Sequence, residues 1–199
     1  QITMLDCHDG IPVQPDLSGV LSIAQMGRAV DHCLGRGANL SRLMSASGQP
    51  VAGFDAHQVN ITYYSALDSD DAAYRVARAL QLFAPGIPQI YYVGLLAGEN
   101  DLGAVAETGE GRAINRHNYT SEEVVRRLRA PVVQKLLELI RFRATHPAFA
   151  GTLTVNQTED DSLELEWRAG AAFALLEASL RTRRAVVRHS TVEGETAAI

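Results

Sequence analysis

Apolar positions along the chain follow two different rhythms, with the change near residue 148. Before it, short apolar runs alternate with helical stripes. The run "ITML" (Ile2–Leu5) predicts a buried strand that leads straight into the charged "DCHDG". "GIPVQPDLSGV" is a Pro/Gly-rich loop. Ser22 suits an N-cap for a helix over Ile23–Leu34, which Gly35 and Gly37 stop. Residues 38–57 show no period and predict a long loop, the kind that is functional or disordered in a compact domain. "QVNITYYSAL" is β-rich. Asp68 or Ser69 then caps a helix over "DDAAYRVARALQLF", with Tyr74, Ala77, Leu80 and Phe83 along one face. "PGIP" ends it and opens a strand, "QIYYVGLL". Strand, helix and strand at this spacing predict parallel βα architecture. A second long loop, "AGENDLGAVAETGEGRAINRHNY", precedes a helix capped by Ser121 and running to Leu128. Pro131 opens a longer helix, "PVVQKLLELIRFRATH", which Pro147 closes.

From Gly151 the period becomes two. "TLTVNQ", "SLELEWR", "AAFALLEASL" and "RRAVVRHS" read as short strands, with Leu163, Leu165 and Trp167 on one face of the second. Two strands and one crossover do not close a sheet. The expected fold class is therefore α/β: the last strands and helices of a (β/α)8 TIM barrel, residues 1–147, followed by a small C-terminal β-domain, residues 148–199, whose completeness is left open. A chain that starts on a buried strand without Met suggests that a segment precedes it.

Composition narrows the partners. With 199 residues and 46% apolar content the chain can build a real core. A net charge of −5 without a Lys/Arg stripe argues against nucleic acid. No apolar run approaches the roughly 18 residues of a membrane span. Cys7 and Cys33 are the only cysteines. They read as two thiols rather than a disulfide, which fits a reducing compartment and a cytoplasmic location. Zinc on Cys7 and His8 lacks a CxxC or HxxxH partner, so no metal is expected.

In a barrel the chemistry sits at the carboxyl ends of the strands. That directs attention to Asp6, His8 and Asp9, to Asp55, His57 and Gln58, and to Glu99, Asn100, Asp101, Arg112, Asn115, Arg116 and His117. Carboxylates, imidazoles and arginines at one rim suit a polyhydroxylated or anionic substrate. Each has a plainer reading. Asp9 before Gly10 fits a turn residue bonded to its own backbone, and His8 a satisfied rim histidine. Arg112 fits an ion pair with Glu107 or Glu110. "GEGR" lacks the strand and helix of a phosphate loop. The pairs Tyr63–Tyr64 and Tyr91–Tyr92 fit core better than sugar platforms. From spacing alone the chain is a barrel enzyme of unspecified reaction.

The stretches "MLDCHDGI", "DAHQVNITYYSAL", "APGIPQIYYVGLLAGENDL" and "GEGRAINRH", in this order, resemble the sucrose phosphorylase group of the α-amylase superfamily. The resemblance implies a C-terminal fragment of a retaining α-glucosyl phosphorylase, a hexosyltransferase of carbohydrate metabolism. Such an enzyme converts a glucoside and phosphate to α-glucose 1-phosphate without a cofactor. It implies that Asp9 is the family's third carboxylate, which stabilises the transition state without attacking, and that His8 binds the sugar. Asp55, His57 and Gln58 would lie on an acceptor-contacting loop, and Arg112 would favour phosphate. The nucleophile and the acid/base would precede residue 1, leaving the fragment alone inactive. Two departures bear on the acceptor. His57 stands where sucrose-specific members usually carry Tyr, and Ala113 where they tend to carry an acid. Both suit an anionic acceptor and point to two relatives, sucrose 6′-phosphate phosphorylase and glucosylglycerate phosphorylase. The expected partners are thus sugar and phosphate, with no nucleic acid and no membrane, and a homodimer is left open. Alternatives are an amylase-type hydrolase or transglucosylase, and a fragment that only binds sugar or a partner.

Overall fold

A computed structural model of the chain describes residues 1–13, 19–41, 57–191 and 196–198. In chain order the elements are β1 (Ile2–Met4), β2 (Ile11–Pro12), α1 (Ile23–Leu34), β3 (Asn39–Ser41), β4 (Gln58–Asn60), α2 (Tyr63–Ala66), α3 (Asp71–Phe83), β5 (Ile87–Gln89), α4 (Tyr92–Leu95), α5 (Leu102–Thr108), α6 (Ser121–Leu128), α7 (Pro131–Thr145), β6 (Thr152–Glu159), β7 (Ser162–Ala169), β8 (Ala172–Ser179), β9 (Arg184–Ser190) and β10 (Thr196–Ala198). Tight 3-10 turns cover Gly111–Asn115 and Pro147–Ala150. Among the described residues no helix is long and apolar enough to cross a membrane, and Cys7 and Cys33 are both free thiols.

Local chemistry explains most of the boundaries. Ser22 closes a full capping box with Gln25, so α1 starts and ends where the sequence predicts. The cap of α3 is Asp70, not Asp68 or Ser69. Its carboxylate accepts the Ala73 N–H at 2.8 Å, while Asp68 and Ser69 take positive φ in the turn before it. The cap of α6 is likewise Thr120 rather than Ser121, in a reciprocal pair with Glu123. Two expected strands are shorter than predicted. "QVNITYYSAL" is strand only over β4; Thr62 then caps α2, its hydroxyl accepting the Ser65 N–H. "QIYYVGLL" ends as strand at Gln89 and turns helical in α4. The expected loop after it contains α5, which Asp101 caps.

The chain forms two compact units, each assembled from separated segments. The first comprises residues 1–4, 70–89 and 128–199. In it β1 and β5 pair in parallel, Ile2 opposite Ile87, and α3 lies between them in the chain. The parallel connection thus joins β1 to β5, not β4 to β5 as the spacing suggested. Strands β6 to β10 form an antiparallel sheet in sequential order. The predicted alternation holds in β7, where Leu165 and Trp167 are buried. Large side chains face small ones across the ladder: Trp167 opposite Ala174 and Leu163 opposite Ala178. This face joins Val76, Ala79 and Phe83 of α3 and Phe142 of α7 in one core. Gly151 leads into β6 because a Cβ there would meet the Arg168 carbonyl at 1.9 Å.

The second unit comprises residues 5–69 and 90–127. Its sheet is β2-β4-β3, antiparallel throughout. A small core of Val13, Met26, Val30, Val59 and Ile61 fixes α1 and β4.

Candidate functional site

The turn that follows β1 is built by three side chains from elsewhere in the second unit. Asn115 Nδ2 donates to the Cys7 carbonyl at 2.9 Å, Arg116 Nε to the His8 carbonyl at 2.9 Å, and Asn60 Nδ2 to the Asp9 carbonyl at 2.7 Å. Three consecutive carbonyls are therefore each held by a remote donor, which fixes the direction of the side chains between them. Gly10 completes the turn at φ +106, and a Cβ on it would lie 2.3 Å from the Val59 carbonyl, so only glycine lets β4 approach.

Into this frame Asp9 projects a carboxylate that is about one-third exposed. Its Oδ1 lies 3.2 Å from Arg112 Nη1 and 3.5 Å from Arg116 Nη2. Its Oδ2 lies 3.4 Å from His8 Nε2. Arg112 thus pairs with Asp9 rather than with Glu107 or Glu110, and the Asp9 carboxylate faces cations. Both arginines belong to the segment 111–116, where the 3-10 turn over Gly111–Asn115 buries Ile114 and Asn115 and sets the arginines on either side. A carboxylate held between guanidinium groups is a positioned acceptor that can face a developing positive centre. Cys7, His8 and Asp9 also place potential metal-ligand atoms within 4.8 Å of one another. The two guanidinium groups already meet Asp9 with positive charge, so the donor set fits a cation poorly.

The acceptor-loop candidates divide. Asp55 lies outside the described residues. His57 is half-buried, and its carbonyl accepts the Val13 N–H at 2.9 Å. Gln58 opens β4. Since Val59 points into the core, Gln58 and Asn60 share the opposite face. The structure thus brings His8, Asp9 and Arg112 together, with Gln58 on the face of β4 that carries the Asn60 support. Asp6 is buried. Asn60 is the supporting residue that sequence reasoning passed over. Its only signal was its place two residues after Gln58.

The remaining rim candidates serve the scaffold. Asn100 Oδ1 accepts the Thr62 N–H, and its Nδ2 donates to the Arg36 carbonyl. Glu99 accepts the Ser69 hydroxyl at 3.0 Å. Tyr92 is 43% exposed rather than core, and it donates its hydroxyl to the His117 carbonyl. His117 bridges two helix starts: Nδ1 meets Asp101, the cap of α5, at 2.5 Å, and Nε2 meets Glu123 of the α6 capping pair at 3.4 Å. The His117 contact, then the Ala104 N–H, holds the Asp101 carboxyl below its ordinary range. The Thr120 N–H and hydroxyl, with His117 behind them, lower that of Glu123.

This bridge gives a pH signature. A carboxyl whose pKa is lower in the folded chain stabilises the fold fully above its unfolded value, about 3.9 for Asp. That stabilisation fades as pH falls through the folded value. His117→Gln is therefore expected to lower stability near neutral pH. It should also flatten the acid limb of the stability curve below about pH 4. Thermal melts of parent and variant across pH 2.5–7 check both; parallel curves would rule the bridge out as the source.

No family model matches the chain. Curated relatives do. The chain is 49% identical over 195 residues to the sucrose 6(F)-phosphate phosphorylase of Thermoanaerobacterium thermosaccharolyticum, a match covering 98% of this chain and 40% of that protein. It is 44% identical over 195 residues to the sucrose phosphorylase of Agrobacterium vitis, covering 95% of this chain and 40% of that one. Among solved structures, a sucrose 6F-phosphate phosphorylase superposes with a TM-score of 0.95 at 48% identity, over all of this chain and 40% of the other. The chain thus spans about two-fifths of the length of the relatives it matches.

Proposed function

The chain belongs to the sucrose phosphorylase group, and from that membership we propose that the protein is a retaining α-glucosyl phosphorylase, passing a glucosyl unit to inorganic phosphate to give α-glucose 1-phosphate. The single observation that carries the reading is the Asp9 carboxylate, held by Arg112 and Arg116 on a turn whose carbonyls are each fixed by another side chain.

In this reading Asp9 does not attack. It holds the sugar and offsets the positive charge that grows at the anomeric carbon as the glycosidic bond breaks. His8, exposed beside Asp9, donates to a sugar hydroxyl. A retaining mechanism also needs a nucleophile and an acid/base about 5–5.5 Å apart. The reading assigns both to the part of the enzyme outside these 199 residues, so the chain alone is expected to be inactive. Arg112 has two uses. Without phosphate it rests on Asp9. When phosphate enters as acceptor, its planar fork turns to the phosphate oxygens, and Asp9 recovers its full charge for the glucosyl centre. Arg116, anchored through Nε on His8, keeps Asp9 oriented meanwhile.

The acceptor side is where this chain departs from sucrose-specific enzymes. His57 and the uncharged Ala113 beside Arg112 make it more cationic. The reading therefore favours a leaving group that bears phosphate or carboxylate, such as fructose 6-phosphate or glycerate, over plain fructose. An imidazole bond to an anion contributes about 1.5–3 kcal/mol, or roughly one to two decades of discrimination. Comparing kcat/KM for sucrose, sucrose 6′-phosphate and glucosylglycerate, in the full-length enzyme and in His57→Tyr, tests it. The anionic substrates should lead by about tenfold or more, and His57→Tyr should narrow that lead. Sucrose as best substrate, with no effect of the substitution, would sink the assignment of His57. Absence of phosphate-dependent turnover on all three would sink the phosphorylase reading itself.

A further inference from the structure

Strands β3 and β4 set two asparagines directly opposite each other, Asn39 and Asn60. Residues opposite in an antiparallel pair share a face. The other face carries Leu40 opposite Val59, and both pack into the core of this unit. Each asparagine donates its Nδ2 to a backbone carbonyl of a different segment. Asn60 holds the Asp9 carbonyl at 2.7 Å, and Asn39 holds the Gly111 carbonyl at 3.1 Å. Those two segments carry the two ends of an ion pair: Asp9 itself, and Arg112, the residue after Gly111. The register of the β3–β4 ladder therefore sets how far apart the backbones of Asp9 and Arg112 stand.

The turn over Gly111–Asn115 is fastened at its far end by other groups. Asn115 and Arg116 donate to the Cys7 and His8 carbonyls, and the Ile114 carbonyl accepts the Asp101 N–H at 2.8 Å. Asn39 acts at the end next to Arg112. Gly111 is fitted to that contact. A Cβ on it would lie 3.2 Å from the Asn39 Cβ and 3.4 Å from its Cγ, so a side chain there would crowd the amide. The Arg112 side chain is 46% exposed and free to swing. Its planar fork is organised in advance; a fixed backbone adds a constant point from which that fork reaches either anion.

We propose that Asn39 is a positioning residue for the phosphate step: it fixes the backbone from which Arg112 reaches phosphate, while Asn60 does the same for Asp9. This role for Asn39 rests on the reading of Arg112 as the residue that takes phosphate. A retaining mechanism has two half-reactions, transfer of the glucosyl unit from the donor and transfer to the acceptor. Asp9 faces the positive centre in both. Arg112 meets phosphate in the second.

The two halves separate in steady-state kinetics. In such a two-step scheme kcat/KM for the glucoside reports the first transfer and kcat/KM for phosphate the second. Both are measured on the full-length enzyme with sucrose or sucrose 6′-phosphate, whichever the parent turns over faster. Asn39→Ala is expected to lower kcat/KM for phosphate by about three- to tenfold, and kcat/KM for the glucoside by less than about twofold. Asn60→Ala should lower both by similar factors. Gly111→Ala keeps Asn39 but crowds it, so it should repeat the Asn39 split, and it carries the test if Asn39→Ala does not fold. In an Arg112→Ala background, Asn39→Ala should add nothing to the loss on phosphate. An equal fall on both values in Asn39→Ala, no fall on phosphate, or an undiminished Asn39 effect without Arg112 would overturn the proposal and leave Arg112 as read. Parental kcat/KM for phosphate in Arg112→Ala would overturn the reading of Arg112 and the role of Asn39 with it.

Discussion

Asp9→Asn in the full-length enzyme is expected to cut kcat by about 10²–10³ or more while leaving the fold intact. The substitution keeps size and hydrogen-bonding reach and removes only the charge. In the proposed reading that charge meets a positive centre that exists only in the transition state, so its loss falls on kcat rather than on ground-state binding. The turn itself should survive. Its three remote donors hold the backbone carbonyls of Cys7, His8 and Asp9, not the carboxylate. The neutral amide also releases Arg112 and Arg116 from their ion pairs. Both guanidinium groups are partly exposed, so water replaces the lost partner and the stability change is small. Steady-state phosphorolysis together with a thermal melt separates the outcomes. Near-parental kcat in a folded variant would reduce Asp9 to a turn residue.

Trp167→Ala should be the most damaging single substitution for stability in the sheet-bearing unit, at about 3–5 kcal/mol. Trp167 is only 7% exposed in the shared core of α3, α7 and the sheet. Its ring packs against Phe149 at 5.9 Å and under the Arg143 guanidinium at 5.3 Å. Its indole N–H donates to the Phe83 carbonyl at 2.7 Å, where α3 ends. Truncation therefore opens a cavity and strands a buried carbonyl at once. Trp167→Phe divides the two contributions. It retains most of the ring but loses the hydrogen bond, and should cost about 1–3 kcal/mol. Urea titration of both variants measures the difference; equal small losses would show that the indole packs loosely.

How far the sequence could be read depended on the range of the interactions involved. Ser22 and Gln25 are three residues apart, and their mutual bonds define the start of α1, so α1 was legible to the residue. In the run Asp68–Asp71 three carboxylates and a serine compete for one cap. The winner is set by the backbone turn at Asp68 and Ser69, which no local pattern encodes. The aromatic pairs in α2 and α4 favour strand by propensity and form helix because tertiary context overrides it. For the site, residue type and position marked His8, Asp9 and Arg112. Their assembly was not visible, because Arg112 and Asp9 are far apart in the chain and Arg112 had nearer acidic candidates. Asn60 and Asn115 act through side-chain bonds to backbone carbonyls, which leave no trace in composition or period.

The pairing of Ile2 with Ile87 has a kinetic consequence. Closing a loop of that length carries an entropic barrier of a few kcal/mol before any ladder bond forms. The hairpins that link β6, β7, β8 and β9 bring their partners together within a few residues. Contact order therefore sets a sequence of events: the antiparallel sheet can zip early, and α3 can form on its own local bonds. The parallel ladder closes late, so the strands that lead into Asp9 and Tyr91 are among the last parts of the chain to become fixed.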